Sequence, residues 1–261
     1  MLDELPAPHQ LVTIAVAVAS EAASLVRSRA RDWNPPPTKS SPTDIVTQTD
    51  VESEELIRAR LSVATPTAGF VGEEGGSTQP QRRLQWVIDP LDGTVNFWYG
   101  LPVVAVSIAA AIDGVVSAAA VVDVERGETF SAAIGSGAQA DGVAISASSC
   151  TELGQALVTT GFSYHAETRA AQGAVVSRLL PHVRDVRCFG SAALQMCWVA
   201  CGRTDSYFER DTKVWDYSAA SLVAQEGGAV VELPCPENDG LAIAAAPAVF
   251  EQLRRLVDVS H

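Results

Sequence analysis

The chain is poor in the residues on which several enzyme chemistries depend. It has five cysteines (Cys150, Cys188, Cys197, Cys201 and Cys235). The number is odd and no pair is spaced Cys-x-x-Cys, which argues against a disulfide framework and against a zinc site. Cys197 and Cys201, four apart, read as small core residues on one helix face. Reduced thiols fit a cytoplasmic setting. The four histidines, His9, His165, His182 and His261, are scattered without ligand spacing. Gly135-Ser136-Gly137 lacks the spacing of a serine-hydrolase elbow, and neither a Walker loop nor a full dinucleotide fingerprint occurs. Basic residues are also few: 18 Lys and Arg against 31 Asp and Glu give a net charge of −13. Such a surface repels phosphate backbones, so nucleic acid is not an expected partner.

Long unbroken apolar runs are missing as well. The stretch from Val103 to Val122 is interrupted by Asp113-Gly114, a hairpin signal, and predicts two strands rather than a membrane span. Leu11 to Ala19 follows Asp3 and Glu4 and continues into Glu21, Arg27 and Arg29, so it reads as a soluble helix and not an export signal.

The 261 residues, 47% of them hydrophobic, suffice for one large domain or two closely packed halves. Helical spacing predicts helices over about 8–31, from near Asp50 with Thr49 and Glu52 as a capping box, and over 167–180, 191–201, 214–226 and 247–257. Strands are predicted at 70–71, 84–88, 103–112, 115–122, 128–133, 156–160, 183–187, 206–209, 229–233 and 241–245. Trp33-Asn34-Pro35-Pro36-Pro37 ends the first helix. Without repeats or a linker, this is a single domain of mixed α+β and α/β character over 1–261. A possible subdivision is an α+β half, 1–183, with a metal site and an α/β half, 184–261, with substrate contacts.

Chemistry concentrates in the carboxylates. In Trp86-Val-Ile-Asp89-Pro-Leu-Asp92-Gly-Thr94 a hydrophobic strand ends in two acids on one tight turn. Two buried carboxylates so close require positive charge between them, and dense oxygen ligands suit Mg²⁺ or Mn²⁺ better than zinc. Gly93 opens the backbone to a phosphate at a helix start. Phe70-Val71-Gly72-Glu73-Glu74-Gly75-Gly76 places paired acids after a second strand. Asp44 to Asp50 and Val214-Trp215-Asp216 add more, though Asp50 and Asp216 also fit plain helix-terminus roles.

Taken in order, Lys39-Ser-Ser-Pro-Thr-Asp-Ile-Val-Thr-Gln-Thr-Asp50, Gly72-Glu73-Glu74, Trp86 to Phe97, Gly190-Ser191-Ala192-Ala193 and Trp215-Asp216 resemble the inositol monophosphatase family. This is the lithium-sensitive, magnesium-dependent superfamily that also holds fructose-1,6-bisphosphatase. The resemblance implies a layered αβαβα sandwich, a homodimer, and hydrolysis of a small phosphorylated polyol such as inositol 1-phosphate. It implies two or three Mg²⁺ ions per site, with Mn²⁺ as a substitute. Glu73, Asp89 and the Leu91 carbonyl would hold the first ion, Asp89, Asp92 and Asp216 the second, and a weaker third would lie near Glu73. The catalytic set would be Asp50, Thr94 and Glu73, with Thr94 bonded to Asp50 and acting on the attacking water. Substrate contacts would come from Asp92, Gly93, Thr94, Gly190, Ser191, Ala192, Glu209 and Asp216. Trp98-Tyr99-Gly100 and Arg210-Asp211-Thr212-Lys213 depart from better-known members and are expected to shape the entrance and the substrate choice. Histidinol phosphate, fructose 1,6-bisphosphate and a 3′-phosphoadenylate are alternative substrates. A bisphosphate would call for Lys or Arg clustered near the motifs, and the sequence shows no such cluster. A non-catalytic regulatory module is the alternative from another class.

Overall fold

Along Leu84–Asp92 (β3), Trp86 and Ile88 enter one apolar cluster and Val87 another, and only Gln85 is partly exposed. A strand hidden on both faces belongs inside a sheet covered from both sides. The computed structural model, which describes residues 5–29 and 36–258, contains that sheet. Its eight strands are β1 (Gly69–Gly72), β2 (Gly76–Thr78), β3, β4 (Ala105–Ile112), β5 (Val115–Asp123), β6 (Thr129–Ala133), β7 (Ala138–Ala140) and β8 (Val143–Ala144). Their spatial order is β2-β1-β3-β4-β5-β6-β7-β8, and only β1 and β3 run parallel. A second sheet has the order β10-β9-β11-β13-β12. It comprises β9 (Leu157–Thr160), β10 (Asp185–Cys188), β11 (Ser206–Arg210), β12 (Val230–Glu232) and β13 (Leu241–Ala245).

The helices complete five layers. Helices α1 (Pro8–Ser28) and α2 (Gln48–Ala64) cover the outer face of the first sheet; Leu11, Ala15, Ala19, Ala22 and Val26 bury one stripe of α1 against Trp86, Ile108 and Ala120. That burial makes α1 a core helix, although its length and apolar composition would allow it to span a bilayer. Between the sheets lie α5 (Ala192–Ala200) and α6 (Val214–Glu226), whose small residues pack on Val87, Ala109, Ala119 and Val121 on one side and Tyr207, Ala242 and Ala244 on the other. Helices α4 (Ala166–Leu179) and α7 (Pro247–Val257) close the far side over Val158, Phe208 and Ile243. The short α3 (Thr94–Tyr99) follows directly on β3. The alternation of Phe208 outward and Tyr207 inward shows the period of two that separates the layers. The expected αβαβα sandwich is the architecture found.

Some boundaries differ from the sequence expectation. Helix α1 stops at Ser28, and residues 30–35, which include Trp33-Asn34-Pro35 of the predicted stop, lie outside the described residues. Helix α2 begins two residues earlier than predicted. Its capping partner is Thr47 with Asp50, whose carboxylate accepts the Thr47 N–H at 2.8 Å, in place of the Thr49–Glu52 box. Strand β2 was not predicted, being three residues of Gly-Ser-Thr fixed only by pairing to β1. The change of sheet falls between Ala144 and Leu157, so a division at 183/184 does not match it: β9 pairs in parallel with both β10 and β11 and belongs to the second half. Cys197 is buried between the sheets as expected, Cys201 caps α5, and all five cysteines are free.

Trp86 is fully buried and its indole N–H donates to Thr65 Oγ1 at 2.8 Å. Trp86→Ala is expected to lower stability by about 3–5 kcal/mol, whereas Val63→Ala, at an 81% exposed position, changes it by less than about 0.5 kcal/mol. Urea unfolding of both variants measures the contrast, and equal effects would contradict the core assignment.

Candidate active site

The site starts where β3 loses its regular pairing. Pro90 has no N–H for the ladder, and the register against β4 shifts between Asp89 and Asp92. The chain then reverses through Gly93, whose φ of 95° favours glycine and whose added Cβ would lie 2.8 Å from the Val103 carbonyl oxygen. Because β1 runs parallel to β3, with Gly72 opposite Ile88, Glu73 emerges beside Asp89; its N–H donates to the Ile88 carbonyl at 3.3 Å. From α2 comes Asp50, fully buried, which accepts the Thr94 hydroxyl at 2.8 Å. The same Thr94 Oγ1 lies 3.1 Å from the Leu91 carbonyl oxygen.

Two helices between the sheets bring in the remaining groups. Asp216 occupies the first turn of α6 and accepts the Lys213 N–H at 2.7 Å. Asp92 lies against the start of α5, accepting the Ala193 N–H at 2.8 Å, the Ala192 N–H at 3.3 Å and the Ser191 hydroxyl at 2.5 Å. Ser191 is the N-cap of α5 and accepts the Leu194 N–H at 3.2 Å. Its side chain, expected against the polyol, is thus fully buried and committed to Asp92. Asn96 ties the same loop to α3, donating to the carbonyls of Phe189 at 2.6 Å and Val103 at 2.9 Å.

Glu73, Asp89, Leu91, Asp92, Gly93, Thr94, Ser191 and Asp216 line a cavity of 580 Å³ that also reaches Gly190, Ala192 and Glu209. Asp50 is not on the cavity wall and lies behind it, bonded to Thr94. Trp98 and Tyr99 do not line the cavity, so they do not form its entrance as expected; Tyr99 is exposed and packs edge-to-face on Trp98. Arg210, Asp211, Thr212 and Lys213 do line it. Basic residues invisible as a cluster in sequence converge there too: Lys39, Arg169, Arg210 and Lys213. Lys213 pairs with Asp211 at 3.0 Å and Arg210 with Asp239 at 3.4 Å, whereas Arg169 has no ion pair among the described residues.

Burial dominates the electrostatics. It pushes Glu73 up to about 7, against the pull of the Lys39 ammonium, and Asp92 up to about 6, against the Ser191 hydroxyl and the α5 amides. Asp89 and Asp216 are raised well above the ordinary carboxylate range, first by burial and then by repulsion from neighbouring acids, Glu73 and Asp92 among them. Glu209 rises to about 8 because it is buried, although the Tyr207 hydroxyl donates to it at 3.0 Å. A Cβ on Gly161 would collide with that carboxylate.

Four acids on one cavity wall, Asp89 and Asp92 buried and Glu73 and Asp216 half-buried, are the donor set of an oxygen-ligated divalent cation, and no thiol or imidazole joins them. As the side chains stand, no three of the described acids, histidines or cysteines already close on a point as ligands. The reason is visible: Asp92 and Asp216 turn oxygens to helix amides, and Glu73 turns one to Lys39. In number and oxygen chemistry the carboxylates fit a hard divalent cation such as Mg²⁺ or Mn²⁺.

Two contributors escaped the sequence reading. Lys39 Nζ lies 2.8 Å from Glu73 Oε1 and also bonds Glu74. Glu54, buried in α2, accepts the N–H groups of Glu74 at 2.7 Å and Gly75 at 2.9 Å and pairs with Arg58 at 2.6 Å. The spacing of four from Asp50 to Glu54 to Arg58 was the available signal, since it puts all three on one helix face.

A profile of the inositol monophosphatase family matches residues 7–257. An inositol-1-monophosphatase of Mycobacterium leprae is 44% identical over 94% of this chain and 92% of its own length. A protein of Pasteurella multocida named Nus factor SuhB is 35% identical, covering 94% of each. Among solved structures, Mycobacterium tuberculosis SuhB superposes with a TM-score of 0.83 at 39% identity, covering 97% of both chains.

The raised carboxyls fix the sign of the pH dependence. Between the ordinary value of 4.5 and the folded values of about 7 for Glu73 and about 8 for Glu209, the folded chain holds more protons than the unfolded one. Their contribution is fully present below 4.5 and is lost as pH rises toward 8. The melting temperature in chelator should therefore fall from pH 5 to pH 8, and Glu209→Gln should flatten the upper part of that fall. A melting temperature that climbs over this range would contradict the burial of these groups.

Proposed function

Since the chain belongs to the inositol monophosphatase family and is a phosphatase, we propose that it hydrolyses inositol 1-phosphate, or a similar small polyol phosphate, in a Mg²⁺-dependent reaction. The observation that carries the reading is the meeting of Glu73, Asp89, Asp92 and Asp216 in one cavity with the Thr94–Asp50 pair beside them. In this reading Glu73, Asp89 and the Leu91 carbonyl hold one ion, Asp89, Asp92 and Asp216 a second, and Glu73 borders a third. Bound Mg²⁺ or Mn²⁺ supplies Lewis acidity toward the phosphate and the attacking water.

The chain's own groups do the rest. Thr94 donates its hydroxyl proton to Asp50 and so keeps its lone pairs for a proton of the incoming water, which fixes the direction of attack. Asp50, clamped by Thr47, holds that hydroxyl in place. The Gly93 and Thr94 amides receive the phosphate where the backbone has no side chain in the way. At the far end, Gly190, Ala192 and Glu209 meet the polyol, while Ser191 keeps Asp92 aimed. A second reading, turnover of fructose 1,6-bisphosphate, is favoured by Arg169, a cation on the cavity wall without an ion pair among the described residues. We further propose a cytoplasmic homodimer. Free thiols support the compartment, and the exposed Tyr99 and Leu101 provide apolar surface for a second copy.

Purified protein should release phosphate from inositol 1-phosphate with Mg²⁺ and cease in chelator. Asp89→Asn should lower kcat by at least about 100-fold, and Thr94→Ala by about 10²–10⁴-fold. Lithium should inhibit. Undiminished turnover by Asp89→Asn would sink the mechanism, and comparison of inositol, histidinol, fructose and nucleotide phosphates assigns the substrate.

A further inference from the structure

Ser107 is the one polar residue of β4, whose other positions are all Ala, Val or Ile. Its side chain is 1% exposed, and the hydroxyl oxygen is sealed from solvent with no hydrogen-bond partner among the described residues. A buried hydroxyl left unpaired lowers stability, and alanine, which occupies Ala105 and Ala109 on the same face, would avoid that loss. The strand register shows what the hydroxyl lies beside. Ser107 is directly opposite Asp89 on β3, the last pair before the register shifts. Opposed residues of antiparallel strands project to the same side, with Cβ atoms about 4.5–5.5 Å apart. That side is the one between the sheets: Val87, Ala105, Ala109 and Val121 enter the inter-sheet cluster, whereas Trp86, Ile88, Val106 and Ile108 enter the outer one. At this level of the sheet Asp89 therefore stands between Glu73, which follows β1, and Ser107. One flank carries a repelling acid and the other a hydroxyl donor.

The Leu91 N–H donates to Asp89 Oδ1 at 3.1 Å. Rotation about the Ser107 Cα–Cβ bond swings its oxygen toward the same carboxylate. We propose that Ser107 is a positioning residue for Asp89: its hydroxyl donates to the carboxylate when a divalent cation binds, and so fixes the direction in which Asp89 offers its oxygens to the cavity. Outer partners of this kind orient ligating groups and strengthen metal binding. Without a cation the donor stays unpaired, so Ser107 lowers the stability of the chain in the condition where it does not assist binding. The inference rests on the metal-dependent reading above.

Titration calorimetry with Mg²⁺ alone, on the full chain, and melting in chelator read the two consequences separately. Ser107→Ala should bind Mg²⁺ about 10–100-fold more weakly than the unaltered protein, yet melt in chelator at the same temperature or higher. A residue with only a packing role would lose stability in chelator instead. Ser107→Cys, close in shape but a weak donor, should follow the alanine variant in affinity. A crystal structure of the unaltered protein with Mg²⁺ should hold Ser107 Oγ within about 2.5–3.0 Å of an Asp89 oxygen, a readout that does not depend on any variant folding. Undiminished Mg²⁺ binding by Ser107→Ala, a lower melting temperature of that variant in chelator, or a Ser107 hydroxyl turned away from Asp89 in the Mg²⁺-bound crystal overturns the proposal and leaves the phosphatase reading intact. An unaltered protein that binds no Mg²⁺ overturns both.

Discussion

The crowding of Glu73, Asp89, Asp92 and Asp216 on one cavity wall, Asp89 and Asp92 buried and Glu73 and Asp216 half-buried, is the constraint around which this fold is arranged. Asp89 and Asp92 share the irregular end of β3, Glu73 follows β1 and Asp216 opens α6, and each has a partner that tempers its charge. Lys39 faces Glu73, the start of α5 faces Asp92, and the first turn of α6 faces Asp216. Helix starts suit this task because their unpaired amides point outward with a positive partial charge. Asp89 accepts a 3.1 Å bond from the Leu91 N–H and is raised by Glu73, Asp92 and Asp216. The protein holds the cluster by distributing its compensation over one loop and two helix starts, so that no single element bears all of it.

That distribution explains what could be read from the sequence and what could not. The run from Trp86 to Thr94 was legible because its meaning is local: a buried strand, a proline that interrupts pairing, and a glycine that reverses the chain. The strands and helices of both sheets were legible for the same reason, since periods of two and of about 3.6 are written residue by residue. Family resemblance then joined Asp50, Glu73 and Asp216 to that turn; the fold brings Glu73 and Asp216 to the same cavity and sets Asp50 behind Thr94.

Other features were hidden because they depend on who meets whom. The spacing of four puts Glu54 on a face with Asp50 and Arg58, but it does not say that the carboxylate carries the Glu74–Gly75 turn twenty residues on. Arg169 lies in α4, far in sequence from every motif, and only the packing of that helix brings it to the cavity wall. Conversely, Trp98 and Tyr99 stand next to the motif in sequence but turn away from the cavity, because a short helix directs successive side chains to different sides. The change of sheet was misplaced for a related reason. A parallel strand such as β9 is assigned by its distant neighbours, not by its own composition.

The bond between Asp92 and the start of α5, a hundred residues apart, has a consequence for the order in which the molecule becomes able to act. During synthesis, the residues of the first sheet, with Asp50, Glu73, Asp89 and Thr94, all leave the ribosome before the α5 and α6 that cover its inner face. Asp92 remains unclamped until residues 191–193 have left the ribosome, and Asp216 follows later still. The four acids meet on one cavity wall only once the two sheets have joined, so the cluster itself is a feature of the whole chain and of no part of it.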